Sequence, residues 1–248
     1  MFNKYSYYYN FFYDEKNYAQ EIKFINNNFF KLKNKFILEI GCGTGNHTFN
    51  IYNFGCKINA LDKSSTMVKI AKSRLDLKTK KKIKFINKDV LKLNVLHKHD
   101  AVLSLFDVFS YQYDYEKVNQ FLKSVKKNIK YGGYFVFDFW HAPNFISDPP
   151  KNKKILKKFN ETKIIRFTQP KLNLIDSTVD IKFKFRIIKT NKKIIEFKEN
   201  HRMKYFFIDE VRLFLENNGF KNIKFYNSFS KKRINIKTGK VVCFAQTK

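Results

Sequence analysis

The chain has 248 residues and 44% of them are hydrophobic, with 29 Phe and 14 Tyr, which excludes a disordered chain and leaves room for one α/β domain with an added element. The formal net charge of +29 invites a nucleic-acid reading, but lysine is spread along the whole chain and Asn, Ile, Phe and Tyr are abundant too, so the charge reads first as AT-rich codon bias. No run approaches the ~20 apolar residues of a membrane helix, and the aromatic start MFNKYSYYYNFFYDEK has no apolar signal core, so neither membrane insertion nor secretion is expected.

Residues 1–35 are expected to form a helical cap, with Tyr18, Ile22, Ile25 and Phe29 at helical spacing between Glu15 and Phe30. Lys35 to Ile40 is a short apolar run ending in glycines, as a buried parallel strand does. A helix from Gly45 to Phe54, closed by Gly55, comes next. Then follow a strand at Lys57 to Leu61, a helix at Ser65 to Leu77 and strands at Ile83 to Asn87 and Asp100 to Leu105. After a helix from Tyr115 to Lys130, Gly132-Gly133 is expected to turn the chain into a strand at Tyr134 to Phe139. Strands alternating with helices over 36–140 predict an α/β, doubly wound parallel sheet with right-handed crossovers.

The pattern changes over 141–208. After Pro149-Pro150 come β-rich runs at Thr162 to Thr168, Thr178 to Lys189 and Lys193 to Phe206, the second with apolar residues at every other position. This predicts an inserted antiparallel sheet. Residues 209–248 are expected to complete the core, with a helix at Ile208 to Asn218 ended by Gly219 and a strand hairpin from Lys221 to Tyr226 and Lys240 to Ala245. The cysteines Cys42, Cys56 and Cys243 are odd in number and lack C-x-x-C spacing, which fits a reducing cytoplasm.

The chemistry is concentrated in Ile37-Leu-Glu-Ile-Gly-Cys-Gly-Thr-Gly-Asn46, between a strand and a helix. Gly41, Gly43 and Gly45 let the backbone turn sharply and lie against a ligand with no Cβ in the way. A dinucleotide fingerprint would have a third small residue where Asn46 stands, and a pyrophosphate gains nothing from Glu39. A ligand with an ammonium group and a nearby sulfonium would gain. Asp62 ends the second strand, where an acid accepts hydrogen bonds from ribose hydroxyls, although it could instead cap a helix. Asp89 follows the third strand and could accept from an adenine amino group, or be an ordinary loop acid.

The runs ILEIGCGTGNHT, ALDKSSTMVKIAK and FINKDVLKL resemble the successive motifs of class I S-adenosylmethionine-dependent methyltransferases. The resemblance implies a Rossmann-like sheet of seven strands with the last antiparallel. It implies S-adenosylmethionine as cofactor and S-adenosylhomocysteine as product, with Glu39, Gly41, Gly43, Asp62 and Asp89 as contacts. The neighbouring residues Cys42, Gly45 and Asn46 of the loop, Lys63 and Met67 after Asp62, Val90 after Asp89, and Leu105 and Phe106 after the fourth strand are expected beside them. The pieces SLFDVFSYQ, FDFWHAPNF, TVDIKFKF and ENHRMKYFF are similar to a bacterial small-molecule subgroup that modifies surface-polysaccharide or antibiotic-sugar precursors. That subgroup implies a tyrosine-rich start folded over the cofactor, here Tyr9 and Tyr13. It differs by carrying His where Asp107 stands and Tyr where His141 stands.

A hydroxyl or ammonium acceptor must shed a proton, so a general base is sought among His201, His141, Asp107 and Tyr111. Each has a structural alternative: sheet pairing for His201, a turn cap for Asp107, packing for Tyr111. An already anionic acceptor would need a cation instead, for which Arg166 and Arg202 are available. His47 and Trp140 read as structural, and His97 and His99 as exposed loop residues. No metal-ligand spacing is present. The expected function is O-directed methylation of a small sugar or phosphoryl-type precursor of capsule or another surface polysaccharide, anionic or nucleotide-linked, by a cytoplasmic monomer or homodimer. RNA methylation and N-methylation of an amino sugar are the alternatives, the former disfavoured because Leu105-Phe-Asp-Val lacks the proline-bearing signature of base-directed enzymes.

Overall fold

The computed structural model describes residues 4–95, 98–191 and 193–248. His97 lies outside them. The first five strands are β1 (Phe36–Ile40), β2 (Lys57–Asp62), β3 (Ile83–Asn87), β4 (His99–Ser104) and β5 (Ile129–His141). They lie parallel in the order β3-β2-β1-β4-β5, with β11 (Lys240–Thr247) antiparallel to both β5 and β10 (Phe220–Asn227) at the far side. The five parallel strands are the doubly wound sheet expected from the alternation of strands and helices, and the seven-strand arrangement with its last strand antiparallel is the one the family resemblance implies.

Helices cover both faces. On one side α5 (Tyr115–Asn128) and α7 (Ile208–Asn217) bury Phe121, Leu122, Val211 and Leu215 against Phe135, Phe137 and Phe139. On the other, α2 (Tyr18–Asn28), α3 (Asn46–Tyr52) and α4 (Ser65–Ser73) lie over β1 and β2, with Ile22, Ile25 and Ile51 packed on Ile37 and Ile58. Side-chain caps set the helix starts: Ser64 accepts from the Met67 N–H and Asp114 from the Lys117 N–H. Asn17 accepts from the Gln20 N–H, so α2 begins at Tyr18, three residues later than the spacing predicts.

Two further boundaries differ. Gly132-Gly133 does not end the turn before a strand: β5 runs through both, with Gly132 at φ +67° and a register slip between His99 and Ala101 of β4. A glycine inside a strand marks an irregularity as readily as a turn. The insertion also has an additional strand, β6 (Lys153–Phe159), beside β7 (Thr162–Asn173), β8 (Thr178–Ile188) and β9 (Ile194–Phe206).

The insertion is continuous with the core. Trp140 and His141 at the end of β5 pair in parallel with Tyr205 and Phe206 of β9, so all eleven strands belong to one sheet. A strap formed by a 3₁₀ turn (Lys4–Tyr8) and α1 (Tyr9–Phe12) packs its rings on the inner face of the insertion. The Tyr5 ring lies tilted 4.7 Å from that of Phe185, and the Phe11 ring tilted 4.8 Å from that of Phe159. The strap therefore lies between the antiparallel strands and the glycine loop.

Candidate active site

A cavity of about 450 Å³ opens where β1, β2, β4 and β5 end. Its floor is the loop after β1. Gly41 adopts φ +73°, and a Cβ there would stand 2.4 Å from Val108 Cγ2, so only glycine lets the loop pass. Gly43, at φ +54°, has nothing within 4 Å of the place its Cβ would take. Asp62 holds this loop: Oδ2 accepts from the Gly43 N–H at 2.9 Å and Oδ1 from the Ser64 N–H at 2.8 Å. Burial raises the Asp62 carboxyl above its ordinary range, and those two N–H groups pull it back. Asp89 lines the next part of the wall and caps a short 3₁₀ turn through the Leu91 N–H. Met67, Lys63, Lys88 and Val90 complete that end.

The roof is aromatic. Tyr5, Tyr9, Tyr13 and Tyr18 all face the cavity. The strap is tied down at two places. The Thr44 hydroxyl and the Asn46 amide of the glycine loop both donate to Asn10 Oδ1, at 2.7 and 3.2 Å. The Arg166 guanidinium donates to the Tyr5 hydroxyl at 2.6 Å. The remaining end is closed by Tyr111, Trp140, Ile181, Phe183, His201 and Met203. Together these elements make an elongated chamber, with carboxylates and a side-chain-free bend at one end and Tyr111 with His201 at the other.

Residues 37–133 match the family model described as "Methyltransferase domain". A curated yeast relative, the probable S-adenosylmethionine-dependent methyltransferase CRG1 of Saccharomyces cerevisiae, is 29% identical over 122 residues, which are 49% of this chain and 41% of that protein. The match thus spans less than half of the curated relative. Among solved structures, an S-adenosylmethionine-dependent methyltransferase from Clostridium acetobutylicum superposes with a TM-score of 0.80 at 21% identity, covering 97% of this chain and 96% of its own. The sugar N-methyltransferase KedS8 from Streptoalloteichus superposes with a TM-score of 0.77 at 16% identity, covering 95% and 91%. Residues 37–133 thus match a methyltransferase domain, and the chain shares its fold with S-adenosylmethionine-dependent methyltransferases.

Within this methyltransferase domain the expected cofactor residues fall into two groups. Gly41, Cys42, Gly43, Asn46, Asp62, Lys63, Met67, Asp89, Val90, Leu105 and Phe106 line the chamber, as do Tyr9 and Tyr13. Glu39 and Gly45 do not. Glu39 is 2% exposed and turned under the loop, where its Oε2 accepts from the Thr48 hydroxyl at 2.5 Å. Burial pushes its carboxyl up to about 8, with the nearby Asp62 charge adding to the rise. Gly45, at φ +87°, starts α3 from below the wall. His47, by contrast, does reach the chamber, with Nε2 2.7 Å from Glu21 Oε2.

The acceptor-side expectations need more correction. His141 is off the chamber, buried with Nδ1 3.0 Å from the Thr238 carbonyl, and burial lowers its basicity. Successive side chains on a strand point to opposite faces, and here Trp140 takes the inward position. Arg202 is on the outer face of the insertion in a two-point ion pair with Asp180, both bonds 2.8 Å. Arg166 points inward but beneath the strap, 4.5 Å from the Phe12 ring centre. Neither arginine lines the chamber. His99 is a fully buried strand residue, bonded to Asn59 and to the Asn128 carbonyl, and not an exposed loop histidine.

Asp107 does face the chamber, on a bend with φ +67° at both Phe106 and Asp107. Its Oδ1 is 2.9 Å from Lys240 Nζ, and burial raises its carboxyl despite that cation. The bend is held by buried Asp138, whose two oxygens accept from the N–H groups of Phe106 and Asp107. Asp138 and Lys240 are functional supports that sequence reading misses. Their separation of about a hundred residues hides a partnership created by the β5–β11 pairing, which places Trp140 opposite Lys240. Tyr5, Tyr18, Lys88 and Lys117 are further wall residues without a motif to announce them, although Lys88 precedes Asp89 directly.

Proposed function

We propose that this chain transfers a methyl group from S-adenosylmethionine to a hydroxyl or amine of a small, sugar-type molecule. One observation carries the reading: a single chamber joins the glycine bend with Asp62 and Asp89 to a far end walled by Tyr111, His201, Trp140 and Phe183. The first end fits the donor chemically. Asp62 and Asp89 line the chamber and would accept hydrogen bonds from sugar hydroxyls and a base amino group, and the bend has room where side chains would otherwise stand. When bound, S-adenosylmethionine supplies an electrophilic methyl on a cationic sulfur. The protein's task is then alignment and exclusion of water, and alignment alone can be worth roughly 7–11 kcal/mol.

The far end suits a neutral acceptor that must lose a proton. Tyr111 and His201 are there, whereas the two arginines that would have held a phosphoryl acceptor stand outside the chamber. Lys63, Lys88 and Lys117 also line the chamber and would attract an anionic handle such as a nucleotide on the acceptor. N-methylation of an amino sugar uses the same groups, and the fold shared with the sugar N-methyltransferase KedS8 favours keeping it as the second reading. A role in capsule or surface-polysaccharide assembly accords with an O-directed version.

The decisive experiment is titration with S-adenosylhomocysteine followed by methyl-transfer assays on nucleotide-linked sugars and amino sugars, with transfer RNA as control. Binding of the homocysteine product and turnover of a sugar are expected. No binding, or methylation of RNA alone, overturns the reading.

A further inference from the structure

Independently of the chemistry in the chamber, we propose that the outer face of the inserted sheet is a docking surface for an anionic phospholipid membrane, to which the protein attaches peripherally. On β6 to β9 alternate side chains point inward, where Ile164, Phe183, Phe185 and Ile187 are buried, and the others point outward. The outward set is basic. One row crosses all four strands as Lys154, Phe167, Lys184 and Lys198, each in register with the next. Lys158 stands opposite Lys163 further along, and Lys182 lies two residues before Lys184 on β8. All six lysines are exposed. Lysine is spread along the whole chain, but strand alternation gathers it here on one side.

The face lacks the anions that offset lysine elsewhere. Its two outward acids, Asp180 and Glu196, are already held by Arg202 and Arg186. Among the described residues, none of the six lysines has an ion pair, whereas Lys157, on the inward side of β6, is paired with Asp14 and Glu15. Lys158 directly faces Lys163, and Lys184 directly faces Lys198. Like charges in directly opposed positions destabilise a sheet. An anionic surface laid on this face relieves that repulsion.

The side chains between the lysines decide the kind of anion. Leu156 and Ile194 stand out of the same face, 49% and 48% exposed. Aliphatic groups among lysines suit the headgroup–acyl boundary of a bilayer, where the ammonium groups meet lipid phosphates and the aliphatic groups leave water. A nucleic-acid strand calls for rings on which bases stack. The one ring at an outward position of these strands is Phe167, which is half-buried and has the Lys154 ammonium 5.5 Å from its centre. Lysine is also a point charge without the fork that grips a single phosphate, which suits a diffuse layer of headgroups. Attachment of this kind needs no spanning segment. Ile181, Phe183 and Met203 line the chamber from the inward side, so the docked face is on the other side of the sheet from it.

The test is co-sedimentation at physiological salt with vesicles of phosphatidylcholine alone or mixed with phosphatidylglycerol. Binding to the mixed vesicles only is expected. Lys184→Gln combined with Lys198→Gln should weaken that binding about ten- to thirtyfold. Lys158→Gln combined with Lys163→Gln should repeat the loss. Both variants relieve a like-charged contact and should fold as the parent does. Lys123→Gln combined with Lys127→Gln takes the same charge from the exposed side of α5 and should change binding by less than about twofold. Equal loss from the α5 variant would reduce the effect to net charge and overturn the proposal. Equal binding to phosphatidylcholine alone, or none to the mixed vesicles, overturns it as well. Transfer RNA added to the vesicle-bound protein at equal phosphate should leave most of it bound; release of most would assign the face to nucleic acid instead.

Discussion

Asp138 Oδ1 accepts a hydrogen bond from the backbone N–H of Asp107 at 2.6 Å, across 31 residues of sequence. Its other oxygen takes the Phe106 N–H and stands 3.4 Å from Lys240 Nζ. Two consecutive left-handed residues without glycine are costly, and they persist here because one buried carboxylate satisfies both N–H groups. Burial works against the charge of Lys240, but Asp107 and Asp138 outweigh it and raise the ammonium's pKa. Asp138→Ala should therefore cost about 2–6 kcal/mol, since it leaves the Phe106 and Asp107 N–H groups without their acceptor at about 1–3 kcal/mol each. Urea unfolding with and without S-adenosylhomocysteine checks this. A loss below about 1 kcal/mol would mean that water replaces the carboxylate.

Glu39 makes stability depend on pH in an unusual direction for an acid. Its folded value of about 8 lies above the ordinary 4.5, so the fold binds a proton that the unfolded chain releases. Its contribution is complete below about pH 4.5 and is lost as pH rises through 8. The slope between them approaches one proton, about 1.4 kcal/mol per pH unit. Glu39→Gln mimics the protonated side chain and should flatten that decline. Unfolding midpoints of both proteins from pH 5 to 8 are the measurement. Parallel curves would show that Glu39 is ionised in the folded chain.

Asp62→Asn should loosen S-adenosylhomocysteine about ten- to a hundredfold, corresponding to roughly 1.4–2.8 kcal/mol. The amide retains the shape of the side chain but can no longer accept from Gly43, Ser64 and a ribose hydroxyl with both oxygens. Calorimetric titration reads the change. Equal affinity would leave Asp62 as a loop tether only.

The two arginines of the insertion should part company. Arg202→Ala removes an exposed ion pair with Asp180 and should leave both the unfolding midpoint and turnover unchanged. Arg166→Met removes donors to the Tyr5 and Tyr13 hydroxyls beneath the strap and should weaken S-adenosylhomocysteine binding several-fold. Equal behaviour of the two variants would mean that the strap is held without Arg166.

Periodicity made the core strands readable, because apolar runs such as Phe36–Ile40 are buried on both faces and lie between amphipathic helices. Strand β6 escaped notice because Lys153-Lys-Ile-Leu-Lys-Lys-Phe159 is an edge strand with a wet face, where lysines mask the alternation. The glycine loop, and the position of Asp62 and Asp89 in the wall, were readable because the motifs that carry them are local. The acceptor end was only half so. Tyr111 and His201 are 90 residues apart, and their meeting depends on how β9 is joined to β5. His141 and Glu39 misled for one reason: each neighbours a wall residue, and in an extended strand the next side chain faces the other way.

The strap bridges two bodies that are otherwise on opposite banks of the chamber, with Asn10 gripping the glycine loop and Tyr5 gripping β7 and β9. Anything passing beneath the strap has to part both grips. Exchange beneath the strap would then be timed by how often the residues of Lys4–Phe12 peel away. Two hydroxyls and one amide would serve as its clock.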